Sequence, residues 1–201
     1  GIVKRDVVRV VTPGTVLEEN MLENNAPNYL AAVWMERKGN AEFGFGLAYA
    51  DISTGSFFAG QISGDDIRNK LADELTRIAP AELLLPDELM EDELFRLRLL
   101  DNCVGCLTPC PELGYIRRNC QEILISQFKV ANMEALGLGE MPLAVIASAM
   151  MLTFLETTQK RTLDYIDKLK IIDSSVSLML DAATRRNLEL TSTLRGGKRK
   201  G

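Results

Sequence analysis

The chain has 201 residues, 23 Lys+Arg against 28 Asp+Glu, and no histidine. That length suits one large domain, or one domain with a piece of a second. With 46% apolar and 25% charged residues it has the composition of a packed globular protein, not a disordered one. Without histidine there is no Ser-His-Asp triad, no Cys-His dyad and no histidine-based zinc site.

Gly1 stands where a Met would begin a complete chain, and the other end stops inside Arg195-Gly-Gly-Lys-Arg-Lys-Gly201, which reads as a piece of a longer protein. Lys4, Arg5, Asp6 and Arg9 interrupt the apolar opening, so it is no signal peptide. The most apolar run, Met141–Leu155, has 15 residues. A membrane span needs about 20, so the expected partners exclude a membrane and the expected location is the cytoplasm. Residues 1–10 carry a net charge of +2, residues 181–201 a net +4, and the stretch between them −11. An acidic body repels nucleic-acid phosphate. Contact with DNA therefore falls to the ends, at Arg195, Lys198, Arg199 and Lys200.

In chain order, Tyr29–Glu36, Phe43–Ala50 and Gly55–Ile62 read as three strands separated by Lys38-Gly39-Asn40 and Asp51–Gly55, an antiparallel meander. Ser63-Gly-Asp-Asp66 is a helix-capping signal. Ile67, Leu71, Leu75 and Ile78 follow at helical spacing, and the helix stops by Ala79-Pro80. Ala81–Leu85 reads as a short buried strand. Asp87–Leu99 reads as one helix with Leu89, Leu94, Phe95 and Leu97 available to pack, and residues 101–116 as irregular chain. A helix from about Arg118 to Phe128 follows, then a long one over Met141–Lys160 that is apolar almost all round and so buried on most faces. Leu169–Ile172 reads as a strand and Asp181–Leu190 as a helix that begins something new. The order β-β-β-α-β-α predicts a mixed sheet with helices against it.

Three features invite a chemical reading. Cys103-x-x-Cys106-x-x-x-Cys110 with Cys120 offers four thiolates for zinc or iron–sulfur. Structural zinc sites usually have two C-x-x-C knuckles and this has one, so free thiols are the plainer reading. Asp51 at a strand end and Glu74 on the next helix are the alternative: a ribonuclease-H-like metal-dependent nuclease, which needs converging carboxylates. Against it, an Asp opening a turn ordinarily bonds nearby backbone N–H groups. Last, Arg118, Glu122, Ser126 and Lys129 form a polar stripe on one helix, opposite Cys120, Leu124 and Phe128. Such a stripe faces solvent or a partner. No phosphate-binding loop is present.

Val7-Val-Arg-Val-Val-Thr-Pro-Gly-Thr15 resembles the segment that leaves the mismatch-binding domain in bacterial MutS. Leu180–Leu190 with Leu194-Arg-Gly-Gly197 resembles the start of the MutS core domain. Between them Ala48–Gly55, Pro80-Ala-Glu-Leu-Leu84 and Thr157–Leu163 are similar to strings of the MutS connector. The resemblance implies a linker over 1–14, a connector domain over 15–173 and the start of the core domain over 174–201. It implies an α/β fold, a ribonuclease-H-like mixed sheet flanked by helices with a short C-terminal helical extension, and no nuclease activity. It also implies a rigid body between joints near Thr12–Asn20 and Asp173–Ser177 that transmits between mismatch-binding and core/ATPase domains and offers a surface to MutL. We place that face at Arg118, Gln121 and Glu122. No cofactor is expected in this chain; ATP and Mg²⁺, the homodimer contacts and mismatched double-stranded DNA belong to other parts of the full-length protein. Phe154-Leu-Glu156 has the letters of the family's mismatch motif but lies in the apolar helix, outside the domain that uses it.

Overall fold

A computed structural model of the chain describes residues 10–15, 27–39, 41–102, 104–110, 112–159 and 162–172. The expected helix over 181–190 lies outside them, as do the joint at 173–177 and residues 16–20 of the first.

The three N-terminal strands form the expected meander. They are β1 (Tyr29–Lys38), β2 (Ala41–Asp51) and β3 (Ser56–Ser63), paired antiparallel in sequence order. The turn from β2 to β3 closes through the Gly55 amide donating to the Asp51 carbonyl at 2.9 Å. Helix α1 (Ile67–Ile78) then crosses to β4 (Glu82–Leu85), which lies parallel to β1. Two short helices, α2 (Asp87–Glu91) and α3 (Glu93–Asn102), lead to β5 (Leu107–Pro109), parallel to β4. Helices α4 (Leu113–Phe128) and α5 (Pro142–Gln159) follow, and β6 (Leu169–Ile171) pairs parallel with β3. The described strands make one mixed sheet in the order β5-β4-β1-β2-β3-β6.

Side chains alternate across a strand, and here both faces are buried. Leu30, Ala32 and Trp34 of β1 face α4 and α5, while Ala31, Val33 and Met35 face α1, α2 and α3. The string Phe43–Ala50 sorts the same way. Phe45, Leu47 and Tyr49 join the α1 side, and the small residues Ala48 and Ala50 join the α5 side. Gly46 also lies under α5, where a Cβ would collide with the Leu143 carbonyl. This strip of missing side chains lets α5 lie against the sheet backbone. Every residue from Leu143 to Leu155 is buried, as the all-round apolar sequence predicts. The first turn of α5 is fixed from the sheet: the Leu143 amide donates to Gln61 Oε1 at 3.0 Å.

Four details differ from the sequence reading. The capping signal at Ser63–Asp66 makes no side-chain cap. Asp66 sits at φ 55° and holds the first turn of α1 with its carbonyl, which accepts the Asn69 and Lys70 amides at 3.1 Å. The single helix over 87–99 is broken at Asp92, whose Oδ1 accepts the Phe95 amide at 3.0 Å and so begins α3. Short polar side chains favour this capping role over a helix interior. The break turns Leu94 and Leu97 outward, 82% and 47% exposed, and leaves Phe95 and Leu99 to pack. Within the supposedly irregular 101–116 stretch, β5 joins the sheet and α4 starts at Leu113, five residues before the expected point. Finally, Thr12–Thr15, the described part of the expected first joint, forms a 3-10 turn bonded to the body.

Candidate docking face on α4

Helix α4 is held from behind. Ile116, Leu124 and Phe128 are buried against α5 and the sheet, with the Phe128 ring edge-on to Phe57 at 5.6 Å between centroids. Gln127 donates from Nε2 to the carbonyls of Leu163 at 2.9 Å and Ile166 at 2.8 Å, tying the loop after α5 to the helix. At its N-terminal half, Arg117 reaches Glu36 of β1 at 3.2 Å and lies over the Trp34 ring at 5.8 Å. These contacts fix both the position and the rotation of α4.

The opposite face is open. Arg118, Gln121 and Glu122 are all exposed, and positions i, i+3 and i+4 are neighbours on a helix surface. Ser126 and Lys129 extend the exposed row, so the predicted stripe exists as one continuous surface. A shallow groove floored by Ile125, Met133 and Ile146 opens beside Gln121, and a second, more polar one beside Glu122 runs past Ser126 to Asp164. Lys129 and Asp164 stand 4.0 Å apart and are both largely exposed, a separation and setting that add little stability. The four basic residues Arg195, Lys198, Arg199 and Lys200 lie outside the described residues.

The carboxylates of the nuclease alternative have structural partners. Asp51 Oδ1 accepts the Ser53 amide at 2.9 Å and the Ser53 hydroxyl at 2.6 Å, the turn-supporting role. Glu74 accepts both the Nε and an Nη of Arg77, which extends to the Tyr49 hydroxyl. Those bonds hold the Arg77 guanidinium still more firmly protonated. Asp51 pairs with Tyr29, the first residue of β1. It therefore lies at the amino end of the parallel strands, whereas ligands of open α/β sheets bind beyond their carboxyl ends. At that carboxyl end the cleft holds Glu36, Asp87 and Glu88, with Glu36 bonded to Arg117 and Trp34. Sequence spacing alone does not tell one end of a sheet from the other.

The cysteines are equally local. Cys106 and Cys120 are free thiols, and Cys103 lies outside the described residues. Burial, with the charges of Asp87 and Glu112, pushes the Cys110 thiol up to about 12. Burial also raises Cys106, aided by the Glu82 charge, and raises Cys120. Thiols so shifted are protonated near neutrality and are poor nucleophiles. Among the described residues, no three Cys, Asp or Glu side chains are grouped to hold a metal ion. No helix among them is long and apolar enough to cross a membrane.

The class of protein defined here is a three-layer α/β body of ribonuclease-H-like order, whose buried charges serve the fold and whose polar surface row lies on one well-braced helix. Residues 28–167 match the family model described as MutS domain II, and the chain belongs to that family. It is 40% identical over 206 residues to the DNA mismatch repair protein MutS of Syntrophomonas wolfei, covering 100% of this chain and 23% of that protein. It is 37% identical over 207 residues to MutS of Alkaliphilus oremlandii, covering 100% and 22%. With MutS of Trichormus variabilis it shares 38% over 205 residues, covering 98% and 23%. The chain thus spans 22–23% of the length of these curated relatives.

Proposed function

We propose that this chain is the non-catalytic connector of a MutS protein in the cytoplasm, joining the mismatch-binding domain to the core and ATPase domains and presenting α4 to MutL. The observation that carries the reading is the pairing of a rigid support with an open polar row. Ile116, Leu124 and Phe128 lock α4 to the body while Arg118, Gln121 and Glu122 stay exposed. A surface that is already ordered loses little conformational entropy on binding. In this reading residues 1–14 lead in from the mismatch-binding domain, 15–173 form the connector, and 174–201 begin the core. The basic residues Arg195, Lys198, Arg199 and Lys200 meet DNA phosphate. Mismatch recognition, homodimer contacts and the binding of ATP and Mg²⁺ belong to the rest of the full-length protein, because domain II is not the ATPase domain.

The test is a titration of the chain against the ATP-bound N-terminal domain of a cognate MutL. Saturable binding is expected, and reversing the charge in Glu122→Arg is expected to weaken it about tenfold or more, within the range of truncated interface residues. Binding that ignores Glu122→Arg moves the face elsewhere. No binding at high micromolar concentration removes the docking role from the isolated module.

A further inference from the structure

Glu82 opens β4 as the residue paired with Leu30 of β1, and it is 1% exposed. A carboxylate so deep in a sheet is costly unless its oxygens are hydrogen-bonded. Both are. Oε1 accepts the Thr108 hydroxyl of β5 at 2.7 Å, and Oε2 accepts the backbone amide of Gly14 at 2.9 Å. Gly14 is 68 residues away in sequence and lies before the part of the chain that matches the family model.

Other contacts fix the same segment. The Val10 amide donates to the Thr158 carbonyl at the end of α5 at 2.8 Å. Asn28 Nδ2 donates to the Pro13 carbonyl at 3.1 Å, so the segment is also held by the residue that precedes β1. Within the turn, the Thr15 hydroxyl oxygen accepts the Thr12 amide at 2.8 Å, and the Thr15 amide donates to the Thr12 carbonyl at 2.9 Å. The fit requires glycine at position 14. A Cβ there would stand 2.9 Å from both Glu82 Cβ and Leu30 Cδ1, closer than real Cβ contacts.

We propose that Val10–Thr15 is a strap latched to the sheet by Glu82, so that Thr12–Thr15 moves with the rigid body and is not a joint. The strap delivers any pull on the incoming chain directly to β4, and through Thr108 to β5, instead of losing it in a slack joint. This deepens the connector reading without depending on MutL binding, because the latch is a property of the chain alone.

The test is amide hydrogen exchange in the full 201-residue chain, read residue by residue by NMR. In the parent, the Gly14 and Val10 amides are expected to be protected. Glu82→Ala removes the acceptor and is expected to speed exchange at Gly14 and Val10 by roughly ten- to a hundredfold, the range for a hydrogen bond to a charged group. Ala31 of β1 and Leu83 of β4 should keep their protection. Gly14→Ala provides an independent route, since it pushes the strap off while leaving Glu82 and the sheet intact. It should release the same amides, and it decides the matter if Glu82→Ala fails to fold. The proposal is overturned if Gly14 exchanges in the parent like an unprotected amide. It is overturned equally if the folded variants leave Val10 and Gly14 exchange within about twofold of the parent. MutL titration of the same variants reads the connector hypothesis separately, so failure of one is not mistaken for failure of the other.

Discussion

Gly46→Ala is a change of one methyl group for which the structure forecasts the less familiar sign. On an ordinary strand Ala is better than Gly by about 0.5–1 kcal/mol, because Gly loses more backbone freedom on folding. At Gly46 the new Cβ would collide with the carbonyl of Leu143 and crowd the Ala144 amide. These are backbone atoms in the first turn of α5, and α5 is buried from Leu143 to Leu155. The helix has to rise off the sheet, or the strand has to bend, and such overpacking costs about 1–3 kcal/mol. The net expectation is a loss of about 1–2 kcal/mol, which for a chain this size lowers Tm by about 2–8 °C. Urea titration and scanning calorimetry of Gly46→Ala beside the parent measure it. A second arm identifies the obstacle. Trimming the side chain in Leu143→Ala should not relieve the Gly46→Ala cost, because the collision is with the main chain. A Gly46→Ala variant as stable as the parent, or full rescue by Leu143→Ala, refutes the account of how α5 sits on β2.

Two further outcomes follow from particular contacts. Asp92 is held below its ordinary carboxylate pKa, first by the hydrogen bond from Arg68 and then by the Phe95 amide. A depressed carboxylate stabilises the folded state fully above its unfolded pKa of about 4 and loses that contribution as pH falls through the folded value. Asp92→Asn should therefore be less stable than the parent by about 1 kcal/mol at pH 7. That gap should narrow below about pH 4, and denaturant titrations at several pH values would detect a gap that failed to do so. Cys110, 3% exposed with its thiol pKa pushed up to about 12, should resist alkylation at pH 8 while the chain is folded and react once it is unfolded. Mass mapping of the modified peptides checks this, and rapid native labelling of Cys110 would contradict its burial.

The meander, α1, β4 and α5 were legible in the sequence because each carries a repeating apolar signal flanked by turn residues. Ile67, Leu71, Leu75 and Ile78 all lie buried where their spacing puts them. The aromatic-rich string Phe43–Ala50 between turn residues identified a strand, but only the packed structure explains why its small residues share one side. The reading failed where a local bond outweighed periodicity. Asp92 ends one helix and begins another with a single carboxylate, and nothing in the run from Asp87 to Leu99 marks that residue among its four acidic neighbours on the sequence. Strand β5 is three residues long and ends in proline, too short for a pattern to register. The α4 surface row was visible as a stripe, because exposure follows from what the opposite side buries. The bond between Gly14 and Glu82 was not visible at all, since a contact across 68 residues leaves no periodic trace.

The two strands that bound the described sheet have a bearing on how this body meets other molecules. β5 and β6 are each three residues long, and β5 closes on Pro109, which has no amide hydrogen to donate. Long, flat borders invite another chain to add itself as an extra strand, in regulated recognition or in runaway aggregation. Short borders with a missing donor offer that chain little to hold. Recognition by strand addition is thereby discouraged on these flanks.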